Sequence, residues 1–235
     1  MYLFPHRAFS AVLSAAVLLS ASSMKFAAAT EHDSSQQGDG VNTFTPTYTA
    51  PAGNILAGLT PTTIMPDAPS FALESSGGVP VLTDGAFGPI FTGVSGAHPS
   101  FATGGGAGDG GTSLTYTLAS PATITGIVTL GGWNDGGRDT QAYTVSYGIG
   151  GVFTPLATVN FDPTPGDTNL QTASQVILDG FSIPNVDAIK FDFAAAENGH
   201  QGYAELAAIA SPEPASLGLL ALGAMGLAAR RRRVV

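Results

Sequence analysis

A chain of 235 residues with 44% hydrophobic and 11% charged residues, 31 Gly, 16 Pro and no Cys has room for one medium domain plus processing segments. The missing cysteines exclude a disulfide scaffold, a zinc-thiolate site, an iron-sulfur cluster and a thiol nucleophile. Six of the eight basic residues stand near the ends (Arg7, Lys25 and Arg230 to Arg233), so between Thr30 and Ser211 only Arg138 and Lys190 face sixteen carboxylates, a net of −14. That surface repels phosphate backbones, which excludes nucleic acid as a partner and suits cations, neutral sugars or the extracellular medium.

Residues 1–29 carry His6 and Arg7, then the small and apolar run Ala8 to Ala21, and close on Phe26-Ala27-Ala28-Ala29. A short hydrophobic helix followed by Ala-x-Ala reads as a secretory signal cleaved after Ala29. The alternative, an anchor that stays attached, needs about 20 apolar residues, and serines interrupt this run. Residues 30–70 are rich in Thr, Pro, Gly, Ser and Gln, with prolines at 46, 51, 61, 66 and 69 that interrupt any long helix. They predict a loosely packed leader with one or two edge strands.

From Phe71 to Ala210 the pattern turns to short alternating segments between Gly, Pro, Asn and Asp. Leu114, Tyr116 and Leu118 alternate with threonines; Tyr143, Val145 and Tyr147 alternate with Thr144 and Ser146; Ile189, Phe191 and Phe193 alternate with Lys190 and Asp192. A period of two places one face on a core and the other in water. With further runs at 123–130, 153–161, 175–178 and 203–209, about eight strands result. They predict an all-β antiparallel sandwich or jelly roll, and 140 residues bury enough apolar surface to fold without disulfides.

The body's most ligand-like loop is Gly131-Gly132-Trp133-Asn134-Asp135-Gly136-Gly137-Arg138, which holds the only Trp and the only Arg of the body. An aromatic face stacks on a sugar while Asn134, Asp135 and Arg138 bond its hydroxyls. The alternative is that Trp133 packs under the loop and Arg138 pairs with Asp135 or Asp139. The run 104–111 (GGGAGDGG) reads as a loop, since it is a single copy without repeat spacing. Only His32, His98 and His200 remain in the body, and there is no Gly-x-Ser-x-Gly elbow and no His-Glu-x-x-His helix. The expectation is a protein that is not an enzyme; abundant carboxylates leave a glycan hydrolase as the lesser alternative.

The C-terminal segment 211–235 reads Pro212-Glu213-Pro214, then the apolar helix Leu217 to Ala229, then Arg230-Arg231-Arg232-Arg233. Thirteen apolar or Gly residues make roughly 20 Å of helix, a short transmembrane span whose arginines snorkel and stay cytoplasmic. The three parts in this order resemble the PEP-CTERM sorting signal of Gram-negative bacteria that make exopolysaccharide. The resemblance implies export through the inner membrane, recognition by an exosortase near Pro212 to Pro214, transient anchoring, and release to the cell surface, extracellular matrix or biofilm.

The body carries a second resemblance. Val81-Leu82-Thr83-Asp84-Gly85, then Tyr143-Thr144-Val145-Ser146-Tyr147 before Gly150-Gly151, then Gly202-Tyr203-Ala204-Glu205-Leu206 look like the discoidin, or galactose-binding-like, jelly roll, without the Trp usual after its Asp-Gly loop. The resemblance implies carbohydrate binding, here of exopolysaccharide, and a structural calcium ion on Asp84 and Glu205, helped by backbone carbonyls and the hydroxyls of Thr83, Ser75 or Ser76. The bland alternatives stand beside it: Asp84-Gly85 as a plain turn, Glu205 as an exposed strand residue, and the whole body as a structural coat protein without a discrete ligand.

Overall fold

The computed structural model describes residues 28–65, 78–90, 101–103, 112–134, 137–164, 170–194 and 201–211. They form nine strands: β1 (Thr30–Gln37), β2 (Thr63–Met65), β3 (Phe101–Thr103), β4 (Ser113–Trp133), β5 (Gln141–Ile149), β6 (Val152–Phe161), β7 (Thr172–Asp179), β8 (Ile183–Phe193) and β9 (Gln201–Ala210). One short 3-10 turn covers Val79–Thr83. All strand pairs are antiparallel. Among the described residues no helix is long and apolar enough to cross a membrane. The signal segment up to residue 27 and the expected span at 217–229 lie outside them.

The 21-residue β4 makes the sandwich. Its first part, Ser113 to Thr117, pairs with β8 and β2, and its second part, Ile127 to Trp133, pairs with β7. Between them the register shifts twice, around the exposed Ala119-Ser120-Pro121, where Pro121 has no N–H to give a ladder. The chain turns there from one sheet into the other. One sheet therefore runs β2–β4–β8–β5–β6 and the facing one β1–β7–β4–β9–β3.

The alternating residues fill the space between the sheets. Leu114, Tyr116, Val145, Ile189 and Phe191 from one side meet Ile127, Val176, Leu178, Tyr203 and Leu206 from the other, all at 1% exposure or less. The rings of Phe193 and Tyr203 lie 4.7 Å apart across the gap. A polar bridge also joins the sheets. Thr129 Oγ1 donates to Gln141 Oε1 at 2.5 Å, and Gln141 Nε2 donates to Ser174 Oγ at 2.9 Å. Tyr203 Oη accepts the Ala142 N–H at 3.1 Å and donates to Gln201 Oε1 at 3.0 Å. Buried groups so paired fix one sheet against the other, because any sliding would strand them without partners.

The Thr/Pro/Gly-rich segment belongs to this body. Residues 30–37 pair over their whole length with β7, and Leu56, at 0% exposure, is part of the core. The sandwich thus draws on both sides of the boundary expected at residue 70. Sequence reading gave that segment edge strands, which β1 and β2 are, but no core residue.

Candidate functional site

The strand directions gather most of the long connections at one end. β1, β4, β6 and β8 finish there at Gln37, Trp133, Phe161 and Phe193, and β5, β7 and β9 start there; Trp133 and Gln37 both stand opposite Thr172. At the far end lie the corner of β4 and the tight turns at Gly150-Gly151 and Gly180.

At the loop end Trp133 is 1% exposed and Asn134 is buried. The Arg138 guanidinium carbon sits 5.9 Å from the centre of the Trp133 ring, a cation–π distance. Gly202 admits that ring, and Gly131 and Gly132 let the strands close around it. A Cβ on Gly202 would run into the Gly132 carbonyl and reach Trp133 Cε3 at 2.5 Å, and one on Gly132 would meet the Thr172 carbonyl at 2.9 Å. One on Gly131 would meet Ser174 Oγ at 2.9 Å. Asp139, also buried, accepts the Thr164 hydroxyl, and Gly202 donates its N–H to the Arg138 carbonyl at 3.0 Å. The structure thus brings Trp133, Asn134 and Arg138 together but corrects the role expected of Trp133. The ring is a floor beneath Arg138, with no free face for stacking on a sugar. Asp135 lies outside the described residues.

Beside this floor, residues 37–45 frame a cavity of about 380 Å³ lined by Gln37, Asp39, Asn42 and Phe44. The Asp39 carboxylate is lowered to about 2 because the Asn42 backbone and side-chain N–H groups and the Val41 N–H all point at it. Gln171 ties the loop down, accepting the Gly40 N–H and donating to the Asn42 carbonyl.

Asp84 and Glu205 are also brought close. Glu205 is fully buried on β9, which removes its reading as an exposed strand residue. Its Oε2 accepts the Gly85 N–H at 3.1 Å and its Oε1 accepts Asn54 Nδ2 at 2.8 Å. The Asn54 amide cannot turn over, because its Oδ1 accepts the N–H of Leu56 at 2.9 Å and of Ala208 at 3.1 Å while Nδ2 also donates to the Leu206 carbonyl at 3.2 Å. Asp84, exposed, accepts the Ala86 N–H at 2.9 Å in a local turn. Calcium needs six to eight oxygens. Here both oxygens of the buried carboxylate face N–H donors, one of them on a locked amide, so the arrangement does not fit the ion. Among the described residues no group of three metal-binding side chains occurs, and Ser75 and Ser76 lie outside them. Without a cation, burial pushes the Glu205 carboxyl up to about 7, against the pull of the Gly85 and Asn54 donors and helped by the Asp84 charge.

Asn54 is the residue that sequence reading missed. Its only local signal is the turn-like Pro51-Ala52-Gly53-Asn54, and its decisive partners are on β9.

Residues 212–233 match the family model of the PEP-CTERM protein-sorting motif. They include Pro212, Glu213, Pro214 and Arg230 to Arg233, all outside the described residues. No curated protein matches the chain. Among solved structures, the family 32 carbohydrate-binding module of EndoD from Streptococcus pneumoniae is similar at 14% identity and a TM-score of 0.46 over 67% of this chain and 99% of that one. A CBM32 module from Clostridium perfringens, solved with GalNAc-β-1,3-galactose, is similar at 14% identity and a TM-score of 0.39 over 63% and 93% of the two chains. An F5/8 type C domain from Bacteroides fragilis is similar at 17% identity and a TM-score of 0.33, over 48% and 74%.

Proposed function

We propose that this is an exported, exosortase-sorted protein of the cell envelope or extracellular matrix whose β-sandwich is a non-catalytic carbohydrate-binding module. Its ligand is a neutral glycan of the exopolysaccharide, held at the loop end by Arg138 and Asn134. The observation that carries this reading is the half-buried Arg138 laid over Trp133, the one arginine of a body of net −14, at the end where the long loops converge. A guanidinium carried beside a buried ring presents its N–H donors in a rigid fork, which suits hydroxyl recognition. The sorting motif at 212–233 supports delivery to the surface by an exosortase, with transient anchoring in the inner membrane and later release.

The test is binding of residues 30–211 to a panel of polysaccharides that includes the producer's own. Saturable binding that Arg138→Ala removes from a body that still unfolds cooperatively supports the module. The buried Trp133 ring favours the second reading, a structural matrix or coat protein without a discrete ligand. Retention in matrix without saturation, unaffected by Arg138→Ala, would establish that instead, and release of products from a polymer would make the protein a hydrolase.

A further inference from the structure

The far end of the sandwich differs in chemistry from the loop end. Three turns lie there: 119–122 (Ala-Ser-Pro-Ala), 149–153 (Ile-Gly-Gly-Val-Phe) and 180–185 (Gly-Phe-Ser-Ile-Pro-Asn), and none holds a charged residue in a body of net −14. Ile149, Val152 and Phe153, at 38%, 68% and 40% exposure, are three of the four exposed large apolar residues among those described; the fourth, Val41, is in the loop-end segment. Gly150 and Gly151, with φ of 59° and 83°, make the two-residue turn that projects this tip. The charges around it are Asp187, which accepts the Gly150 N–H at 2.7 Å, and Lys190, whose ammonium is 6.0 Å from the centre of the Phe153 ring. Asp179 and Glu31 stand by the facing sheet, where Thr30 pairs with Asp179.

The sorting motif leaves the body at this same end. Ser211 donates its N–H to the Thr123 carbonyl at 2.8 Å beside the β4 corner, so the fold runs without a spacer up to Pro212. Five residues, Pro212 to Ser216, precede the apolar run Leu217 to Ala229. Fully extended they reach about 17 Å. While that run is in a bilayer, the far end is held within this distance of it, and such a tether makes even a weak apolar contact intramolecular.

We propose that the uncharged β5–β6 tip, Ile149 to Phe153, rests in the lipid surface of the membrane during the anchored stage. The inference rests on the membrane-anchored part of the function proposed above. A lipid surface is the occupant because the tether brings it to this end, while the acidic faces of a second copy are held off by repulsion. Val152 and Phe153 carry no charge themselves, and Asp187 and Lys190 beside them lie on β8, behind the tip. The eleven residues of β8 place the loop end about 36 Å farther out, so Arg138 faces away from the membrane.

The absence of cysteine permits single-cysteine labelling. Full chains carrying Val152→Cys, Val41→Cys or Ala224→Cys, each with an environment-sensitive fluorophore, are reconstituted into vesicles of phosphatidylethanolamine and phosphatidylglycerol. The expected result is blue-shifted emission, quenched by brominated acyl chains, at positions 152 and 224, and water-like emission at 41. Quenching at 224 with water-like emission at 152 overturns the tip contact and leaves the span standing. No quenching at 224 overturns the anchored reading and the contact with it. A fluorophore at Ile149→Cys must lose its quenching when Val152→Asp is added; if it does not, something other than the tip makes the contact.

Discussion

Replacing Glu205 by Gln tests the buried carboxylate directly, because Gln keeps the shape and removes the titration. The wild-type carboxyl rises from 4.5 to about 7 on folding, mainly through burial. The folded state then holds a proton that the unfolded state has given up. Stability from this group is complete below pH 4.5 and is lost as the pH rises through 7. A rise of 2.5 units corresponds to about 3 kcal/mol between pH 4.5 and pH 8. Asp39 does not blur that window, since its carboxyl, lowered to about 2, changes charge only in acid.

Gln retains one acceptor for Asn54 Nδ2 or for the Gly85 N–H and turns its own NH₂ toward the other, so about 1 kcal/mol of hydrogen bonding is lost at every pH. The variant is therefore less stable than wild type at pH 5 and at least as stable at pH 8. Urea unfolding followed by the fluorescence of Trp133, the sole tryptophan, measures both curves, the ring passing from 1% exposure into water on unfolding. A wild-type stability that is flat from pH 5 to pH 8, or a Glu205→Gln variant with the wild-type slope, would refute the reasoning.

Asn54→Ala deletes four hydrogen bonds and leaves the Leu56 and Ala208 N–H groups without the amide oxygen. About 3 kcal/mol should be lost, lowering the melting temperature by roughly 6 to 12 °C in calorimetry. Calcium and chelator should give the same melt for the wild-type body, whereas Asn54→Asp, which turns an oxygen toward Glu205, should destabilise it and recover part of the loss in calcium. A chelator-sensitive wild type would restore the calcium site. Gly202→Ala should cost about 3 kcal/mol by driving a methyl against Trp133 and the Gly132 carbonyl, and red-shift the native fluorescence as the ring is displaced; an unshifted spectrum counts against the packing described.

How much of this was legible in the sequence follows from the range of each interaction. The alternating triplets at 114–118 and 189–193 all point into the core, and in β5 Tyr143 and Val145 are buried while Tyr147 is only half so, nearer the exposed tip. Local period carries that information whatever the partner strand. The sheet change inside β4 was not legible, because Ala119-Ser120-Pro121-Ala122 looks like the end of one strand and the start of another, and only pairing shows that the chain continues through the corner. The core role of 53–56 was hidden by composition: a segment with a proline every few residues brings Leu56 into the core because Asn54 and Ile55 bond to β9, more than a hundred residues away. The burial of Trp133 is illegible for a related reason. Its concealment depends on Gly202, seventy residues downstream, having no side chain.

The distribution of charge also constrains what the loop end can hold. Asp39, Asp139 and Asp162 surround the region, Asp39 remaining ionised even in mild acid, and Arg138 is the one arginine there. An anionic polysaccharide would meet a net negative approach over several ångströms, and raising the salt from low ionic strength would then strengthen its binding by shortening the Debye length to about 8 Å. A neutral glycan held by Arg138 and Asn134 through hydrogen bonds has no such field to overcome. Its affinity should change less than about twofold between low and physiological salt, as titration calorimetry would measure. Binding that instead weakens steeply as salt rises would require a basic surface, and the described body, with Lys190 already paired to Asp192 at 2.9 Å, has none to offer.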